Sequence, residues 1–284
     1  MRRLVAVLAA FLLTLALTGP ALAAPGRSGS HAVTYYLSLG DSLAAGQQPI
    51  GDPDNMHRTN DGYADQLYQM ARVTHPKLRH VKLGCPGEST DTFIHGGICD
   101  YTHGSQLDEA VNFLRAHRQF VTFVTIDLGW NDFRCQDSLT CIPPGAATIA
   151  ANLPGILAKL RAAAGPSVPI VGATLYDPFL AYWFTDPALA WMSVTDAIVP
   201  INSFVSGIYG AARMPVADVQ GAFNTTVPFD VMVPFPGVGT APLSVATICA
   251  YTWICAPPPL GPDNHANHDG YHAMALAFAA KLGL

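Results

Sequence analysis

The chain has 284 residues, a formal net charge of −5 and 12% charged residues, and its 15 lysines and arginines form no cluster. This charge pattern argues against a nucleic-acid partner, which requires a concentrated positive surface. The length fits one large domain that follows a leader.

The N-terminus carries Arg2 and Arg3, then an apolar core over 4–17, then a small-residue end at Ala21-Leu22-Ala23. This is the pattern of a secretory signal peptide that is cleaved after Ala23. An uncleaved membrane anchor would need a longer apolar span. Removal of the two arginines takes the formal charge from −5 to −7, and no later segment is apolar for long enough to predict a membrane span. The predicted regions are a signal peptide (1–23), a disordered new N-terminus (24–31) and one exported domain (32–284).

Apolar runs alternate with segments of helical spacing along the rest of the chain. Continuous apolar runs predict buried strands, and apolar residues three and four positions apart predict helices. This alternation favours an α/β fold, a flavodoxin-like three-layer α/β/α sandwich with a parallel sheet of about five strands. The aromatic segment 178–192 and the proline-rich segment 228–262 do not fit the alternation. The predicted elements are strand 35–39, helix 62–74, strand 79–83, helix 106–118, strand 120–128, helix 146–164 apart from Pro154, strand 168–175, helix 196–212, strand 216–220 and helix 269–284.

All six cysteines lie in the part predicted to be exported, where disulfides persist. Fifteen connectivities are possible, but the cysteines form three close pairs, each separated by a loop-like stretch. No C-x-x-C spacing occurs, which argues against a zinc site. The predicted disulfides are Cys85–Cys99, Cys135–Cys141 and Cys249–Cys255.

Three short motifs each follow a predicted strand: Gly40-Asp41-Ser42-Leu43, Gly84-Cys85-Pro86-Gly87-Glu88-Ser89 and Gly129-Trp130-Asn131-Asp132. Open α/β sheets place their active sites at the carboxyl ends of their strands. Read singly, Ser42 is equally well a helix N-cap, Gly87 a turn glycine and Asn131 a loop cap. Trp130 is a core residue or a cleft wall, with the core favoured.

A fourth block, Asp263-Asn264-His265, precedes the last predicted helix. The order GDSL, G-E-S, G-x-N-D and a late histidine resembles the SGNH (GDSL) hydrolase family, in particular the secreted bacterial esterases and lipases with three disulfides. The resemblance covers nearly the whole exported part.

The resemblance implies that Ser42 is the nucleophile and His265 the base. It also implies an oxyanion hole built from the Ser42 N–H, the Gly87 N–H and the Asn131 side-chain amide. This set suits acyl transfer, because the oxyanion that forms needs preorganised donors. The absence of G-x-S-x-G argues against an α/β-hydrolase elbow.

The identity of the acid stays open at this point. The family usually writes its last block as Asp-x-x-His-Pro, whereas Asp263 lies two residues before His265. Either Asp263 turns its carboxylate to the imidazole or a backbone carbonyl holds the histidine tautomer. Asp269 and His272 have the literal D-x-x-H spacing, but His272 falls inside a predicted helix, so His265 is preferred.

We therefore expect an exported serine esterase or lipase that hydrolyses carboxylic esters, with acyl lipids favoured as substrates. The alternatives are an esterase for O-acetylated polysaccharide and an inactive secreted binding module on the same fold. We expect no metal, no organic cofactor and a monomer. The other histidines of polar segments are predicted to be solvated surface residues: His57, His75, His80, His95, His103 and His117.

Overall fold

The structure, a computed structural model, describes residues 32–133 and 139–284. The predicted signal peptide (1–23), the new N-terminus (24–31) and Cys135 lie outside the described residues. Cys85–Cys99 and Cys249–Cys255 are disulfides with Cα–Cα distances of 6.1 and 5.0 Å. The third predicted pair includes Cys135 and stays a prediction.

Strands and helices alternate through the first two thirds of the domain, and helices dominate the last third. The strands are β1 (Thr34–Gly40), β2 (Gln47–Asp52), β3 (Leu78–Lys82), β4 (Val121–Asp127), β5 (Ile170–Ala173), β6 (Val216–Ala217), β7 (Met232–Phe235) and β8 (Gly239–Pro242). The helices are α1 (Tyr63–Thr74), α2 (Thr90–His95), α3 (Gln106–His117), α4 (Ile142–Ala164), α5 (Pro187–Met192), α6 (Val199–Ala211), α7 (Val219–Ala222), α8 (Leu243–Tyr251) and α9 (His268–Leu282).

The main sheet has five parallel strands in the order β3-β1-β4-β5-β6. Counted within the sheet alone, this is the order 2-1-3-4-5 of flavodoxin-like folds. The predicted three-layer sandwich with about five parallel strands is confirmed. In this order the chain reverses its direction of winding between β1 and β4, which is where such sheets bind ligands.

Side chains on the two faces of the sheet enter separate hydrophobic cores. Along β1, Leu37 and Leu39 pack with α3, α4 and α6, whereas Tyr36 packs with α1 and α9. On β4, Val124 lies in the same core as Leu37 and Leu39, and Phe123 lies in the same core as Tyr36. Successive strand residues point to opposite faces, so each strand serves both cores and the sheet is covered on both sides.

Helix α4 continues through Pro154, where the sequence predicted an interruption. Pro154 is exposed between the buried Leu153 and Ile156. The missing N–H therefore falls on the solvent side, where water can satisfy the unpaired carbonyl of the preceding turn.

The two segments that did not fit the alternation fold as short elements of the same domain. Residues Pro178–Phe184 form a 3-10 helix that leads into α5. Residues 228–262 contain the antiparallel β7–β8 hairpin and α8. Prolines and aromatic side chains interrupt the regular spacing of apolar residues in both segments, so the sequence did not predict these elements.

One helical run, Pro187–Ala211, is long and apolar enough by length and composition to cross a membrane, with a mean hydropathy of 1.3. The sequence pattern predicted no such run after the N-terminal apolar core. It joins α5, a π-helical segment Ser193–Ile198 and α6. Its side chains at Val194, Ile201 and Val205 are buried in the two cores. The run thus packs one side against the cores and leaves Trp191, Met192 and Phe204 exposed.

Candidate active site

Ser42 lies directly after β1, in a turn whose shape depends on Gly40. Gly40 has φ +133°, and a Cβ placed there would lie 1.9 Å from the Asp127 carbonyl oxygen. Only glycine allows the ends of β1 and β4 to approach this closely. The turn is fixed by two hydrogen bonds, Asp41 N to Asp127 O at 3.2 Å and Leu43 N to Asp41 Oδ1 at 2.9 Å. Ser42 is thereby held at the carboxyl end of a central strand.

His265 and Asp263 form a hydrogen-bonded pair on the loop before α9. Nδ1 of His265 lies 2.8 Å from Asp263 Oδ1, and the same oxygen accepts the His265 backbone N–H at 2.8 Å. Backbone hydrogen bonds from Trp253 N to His265 O and from Asp263 N to Trp253 O anchor the loop. Burial raises the pKa of Asp263, but the hydrogen bond and charge of His265 outweigh this and hold its pKa below the usual value. An aspartate two residues before the histidine therefore reaches the imidazole, which directs Nε2 away from the pair.

Gly87 lies in the loop after β3, exposed and with φ +83°. A Cβ there would meet only Ile98 at 3.8 Å, so the backbone conformation, and not space, is what calls for glycine. The loop is held to the rest of the domain by the Cys85–Cys99 disulfide and by a hydrogen bond from Cys85 N to Gly40 O.

Asn131 follows β4 in a short 3-10 turn, Trp130–Asp132. Its Nδ2 donates to Asp41 Oδ2 at 3.3 Å and to the Glu88 carbonyl oxygen at 3.0 Å. The amide thus connects all three motifs at the sheet edge. Both of its N–H groups have acceptors, and the bond to Asp41 is the longer of the two.

Ser42, Gly87, Asn131 and His265 line one cavity of about 190 Å³. Ser42 and His265 share this cavity, and no hydrogen bond joins Ser42 Oγ to the imidazole among the described residues. Catalytic hydrogen bonds often tighten only when substrate is bound.

Two buried carboxyl groups, those of Asp41 and Asp127, line the cavity together with Ser42. Burial raises the pKa of Asp41 to about 7. Burial also raises the pKa of Asp127, and the neighbouring Asp41 raises it further. Asp127 Oδ1 accepts a hydrogen bond from Tyr63 Oη at 3.2 Å, and its buried Oδ2 has no partner among the described residues. Asp127 was not among the predicted site residues, although a carboxylate at the end of an apolar and β-branched strand is a signal in the sequence.

Gln106 is a second residue of the site that was not predicted. From the first turn of α3 its side chain bonds both Gly40 N at 2.7 Å and Gly40 O at 2.9 Å, and it also donates to Glu88 Oε2 at 2.9 Å. It therefore fixes the end of β1 relative to the Gly87 loop. A polar residue on the buried side of a helix N-terminus was its only signal.

His272, the other candidate base, lies outside the cavity. His272 is on the exposed side of α9, with Nδ1 2.9 Å from Gln66 Oε1 on α1, and it does not line the cavity. The geometry favours His265 as the residue that faces Ser42.

His80 was predicted to be a solvated surface residue, and this prediction is wrong. Its side chain is only 9% exposed, its Nε2 lies 2.8 Å from Ser38 Oγ, and its ring stacks on Tyr36 at 4.6 Å. The imidazole is buried because it fills the face of β3 that packs toward α1.

Trp130 takes both of the roles considered for it. Its half-buried indole packs against the core and also lines the cavity beside Asn131. Among the described residues, no group of three or more histidines, cysteines or carboxylates has the arrangement that would hold a metal ion.

Comparison with known proteins assigns the chain to a family. The sequence matches the GDSL-like Lipase/Acylhydrolase family over residues 38–273. A search of curated proteins returns no significant match.

Several solved structures share the fold. The acetylxylan esterase Axe2 from Geobacillus stearothermophilus is 17% identical with a TM-score of 0.55, covering 88% of this chain and 94% of that one. Phospholipase A1 from Streptomyces albidoflavus NA297 is 18% identical with a TM-score of 0.54, covering 88% and 100%. The lipase Lip_vut3 from a goat rumen metagenome is 16% identical with a TM-score of 0.54, covering 87% and 97%.

Proposed function

Because the chain belongs to the GDSL-like lipase/acylhydrolase family and is a carboxylic ester hydrolase, we propose that it acts through an acyl-enzyme formed on Ser42. The observation that carries the proposal is the single cavity lined by Ser42, Gly87, Asn131 and His265, with Asp263 hydrogen bonded to the imidazole.

In the proposed mechanism, Ser42 Oγ attacks the ester carbonyl carbon while His265 Nε2 takes the serine proton. The imidazolium then gives this proton to the departing alcohol. Water attacks the acyl-enzyme with His265 again as base, and the acid leaves. Asp263 keeps the proton of the neutral imidazole on Nδ1 and stabilises the imidazolium that forms in each half of the cycle.

The developing oxyanion is stabilised by the N–H groups of Ser42 and Gly87 and by the Asn131 amide. Because both amide hydrogens of Asn131 have acceptors in the free protein, the oxyanion would displace one of them. The 3.3 Å contact with Asp41 is the weaker and would be lost first. Each such donor contributes roughly 3–4 kcal/mol to lowering the barrier.

For substrates, we propose acyl esters of apolar carboxylic acids. Leu128, Leu175 and Met274 line the reaction cavity close to the serine. These side chains stand among polar ones such as Gln47 and Thr174, and they give an acyl chain an apolar surface to contact.

We further propose that the protein is exported. The N-terminal pattern is that of a signal peptide, and the disulfides Cys85–Cys99 and Cys249–Cys255 suit an oxidising compartment. Cleavage near Ala23 and a monomeric state are parts of the same proposal.

The substrate proposal is tested with p-nitrophenyl esters from acetate to palmitate, an acetylated xylan and a phospholipid, each with wild-type enzyme and Ser42→Ala. We expect hydrolysis that rises beyond acetate and is lost in Ser42→Ala. Hydrolysis of acetylated xylan together with p-nitrophenyl acetate, without longer esters, would instead identify a polysaccharide deacetylase. No hydrolysis by correctly folded protein would favour a binding module.

A further inference from the structure

A second cavity of about 240 Å³ adjoins the reaction cavity. The two cavities share Trp130 and Asn264 in their walls. The second cavity is formed by the 3-10 helix Pro178–Phe184, the run from Ser193 to Ile201, and the start of α4. No step of the proposed mechanism uses it.

Aromatic rings line a path from the serine outwards. The Trp130 and Phe179 ring centroids are 6.5 Å apart, and those of Phe179 and Tyr182 are 6.0 Å apart. Tyr182 is 43% exposed, so this row runs from the reaction cavity to solvent. Ile198 and Ile201, both nearly fully buried, form another wall.

The polar side chains at the inner end of this cavity are already paired with each other. Ser193 Oγ donates to Asp177 Oδ2 at 2.8 Å, and Asp177 Oδ1 accepts the Phe179 N–H at 2.9 Å. A sugar needs free donors and acceptors in the walls around it, and this pair offers none. The remaining polar groups of the lining are the Tyr182 hydroxyl, the Trp130 indole N–H and Asn264, which lies where the two cavities meet.

We propose that the second cavity binds the acyl chain of the substrate, with Trp130 as the wall along which the chain leaves the reaction cavity. The occupant is an acyl chain longer than acetyl. Trp130 directly precedes Asn131, so this wall lies beside the proposed position of the ester carbonyl, and the alkyl acetates below distinguish the acyl side from the alcohol side. The inference rests on the proposed function, since it needs an ester carbonyl at Ser42.

The test is to fill the cavity with Ile198→Trp and to measure kcat/KM for p-nitrophenyl esters from acetate to decanoate. In the wild type we expect kcat/KM to rise by up to about fourfold per added methylene until the cavity is full. In Ile198→Trp the octanoate-to-acetate ratio should fall at least tenfold. Val199→Trp is the matched control, because Val199 is the next residue, is 36% exposed and does not line the cavity.

Ile254→Trp blocks the same cavity from a different segment, in case a larger residue at 198 prevents folding. A parallel series of alkyl acetates, from ethyl to octyl, tests the alcohol side. An unchanged acyl profile in a folded blocking variant, or a loss confined to the alkyl acetates or to acetylated xylan, would overturn the inference. Undiminished hydrolysis by Ser42→Ala would contradict the proposed function instead, so the two failures are distinguishable.

Discussion

At the scale of single residues, Asn131 is the point where the three motifs meet. Its amide bonds the Asp41 carboxylate and the Glu88 carbonyl, which places it between the serine turn and the Gly87 loop. The sequence predicted the residue through its motif. It could not predict that both amide hydrogens would have protein acceptors, because those contacts arise from the packing of strand ends distant in sequence.

Asn131→Ala should lower kcat by roughly 100- to 1000-fold, the usual effect of removing one oxyanion donor. Steady-state kinetics on a p-nitrophenyl ester measures this loss. Asn112→Ala, at an exposed asparagine of α3, should leave kcat unchanged. A loss of less than tenfold in Asn131→Ala would leave Asn131 with a structural role only.

The choice of base is tested by three variants. His265→Ala should inactivate the enzyme, because no other described imidazole lines the cavity with Ser42. His272→Ala should retain most activity, since His272 bonds Gln66 on the exposed side of α9. Asp263→Ala should lose an intermediate amount, because it removes the group that orients the imidazole. An inactive His272 variant beside an active His265 variant would reverse the assignment and make Asp269 the acid.

At the scale of elements, the candidate site lies at the carboxyl ends of β1, β3 and β4. Helices and a disulfide hold the loops that follow these strands. The sequence predicted these strands to within about a residue, because continuous apolar runs are a strong signal. It did not predict the β7–β8 hairpin, α2 or α8, whose sequences are short or rich in proline. Their formation depends on packing against elements distant in the chain.

The Cys85–Cys99 disulfide should support activity as well as stability. Its 14-residue separation predicts about 3 kcal/mol of stabilisation from the constraint on the unfolded chain. We expect a Cys85→Ala/Cys99→Ala variant to lose activity at temperatures where circular dichroism still shows a folded protein, since Gly87 lies two residues beyond Cys85.

The matched control is Cys249→Ala/Cys255→Ala, which opens a loop with a separation of 6 and should cost about 2 kcal/mol. If both variants lost the same activity at equal stability, the Cys85–Cys99 disulfide would have no specific effect on activity through the Gly87 loop.

At the scale of the whole molecule, several titratable groups are buried in the fold, and they oppose one another in their response to pH. Burial raises the pKa of Asp41 and of Asp177, each to about 7, so these groups favour the folded state at acid pH. Burial, and secondarily the charge of Lys82, lowers the pKa of His80 from 6.5 to about 3, so this group disfavours the folded state at acid pH. The sequence predicted none of these shifts, because the depth of a side chain depends on which face of the sheet is covered.

His80 should make the protein less stable in acid. Between pH 6.5 and 3 the unfolded chain binds a proton at this imidazole and the folded chain does not, so the free energy of unfolding falls as pH falls. The contribution is about 2 kcal/mol at pH 5. The nearby Asp65 carboxylate lies 3.7 Å from His80 Nδ1 but is already paired with Lys82 Nζ at 2.7 Å.

Urea unfolding of wild type and His80→Gln at pH 7 and pH 5 measures this contribution. The buried carboxyl groups are common to both proteins, so the difference between them isolates His80. The variant should lose less stability on acidification than the wild type. Parallel pH profiles would show that His80 is protonated in the folded protein or is not buried.

The central claim is that Ser42 is the nucleophile of an ester hydrolase, and covalent labelling with a fluorophosphonate followed by peptide mapping tests it most directly. We expect one adduct per folded chain, located on Ser42, absent in Ser42→Ala and strongly slowed in His265→Ala. An adduct on another residue, or none on folded protein, would contradict the claim.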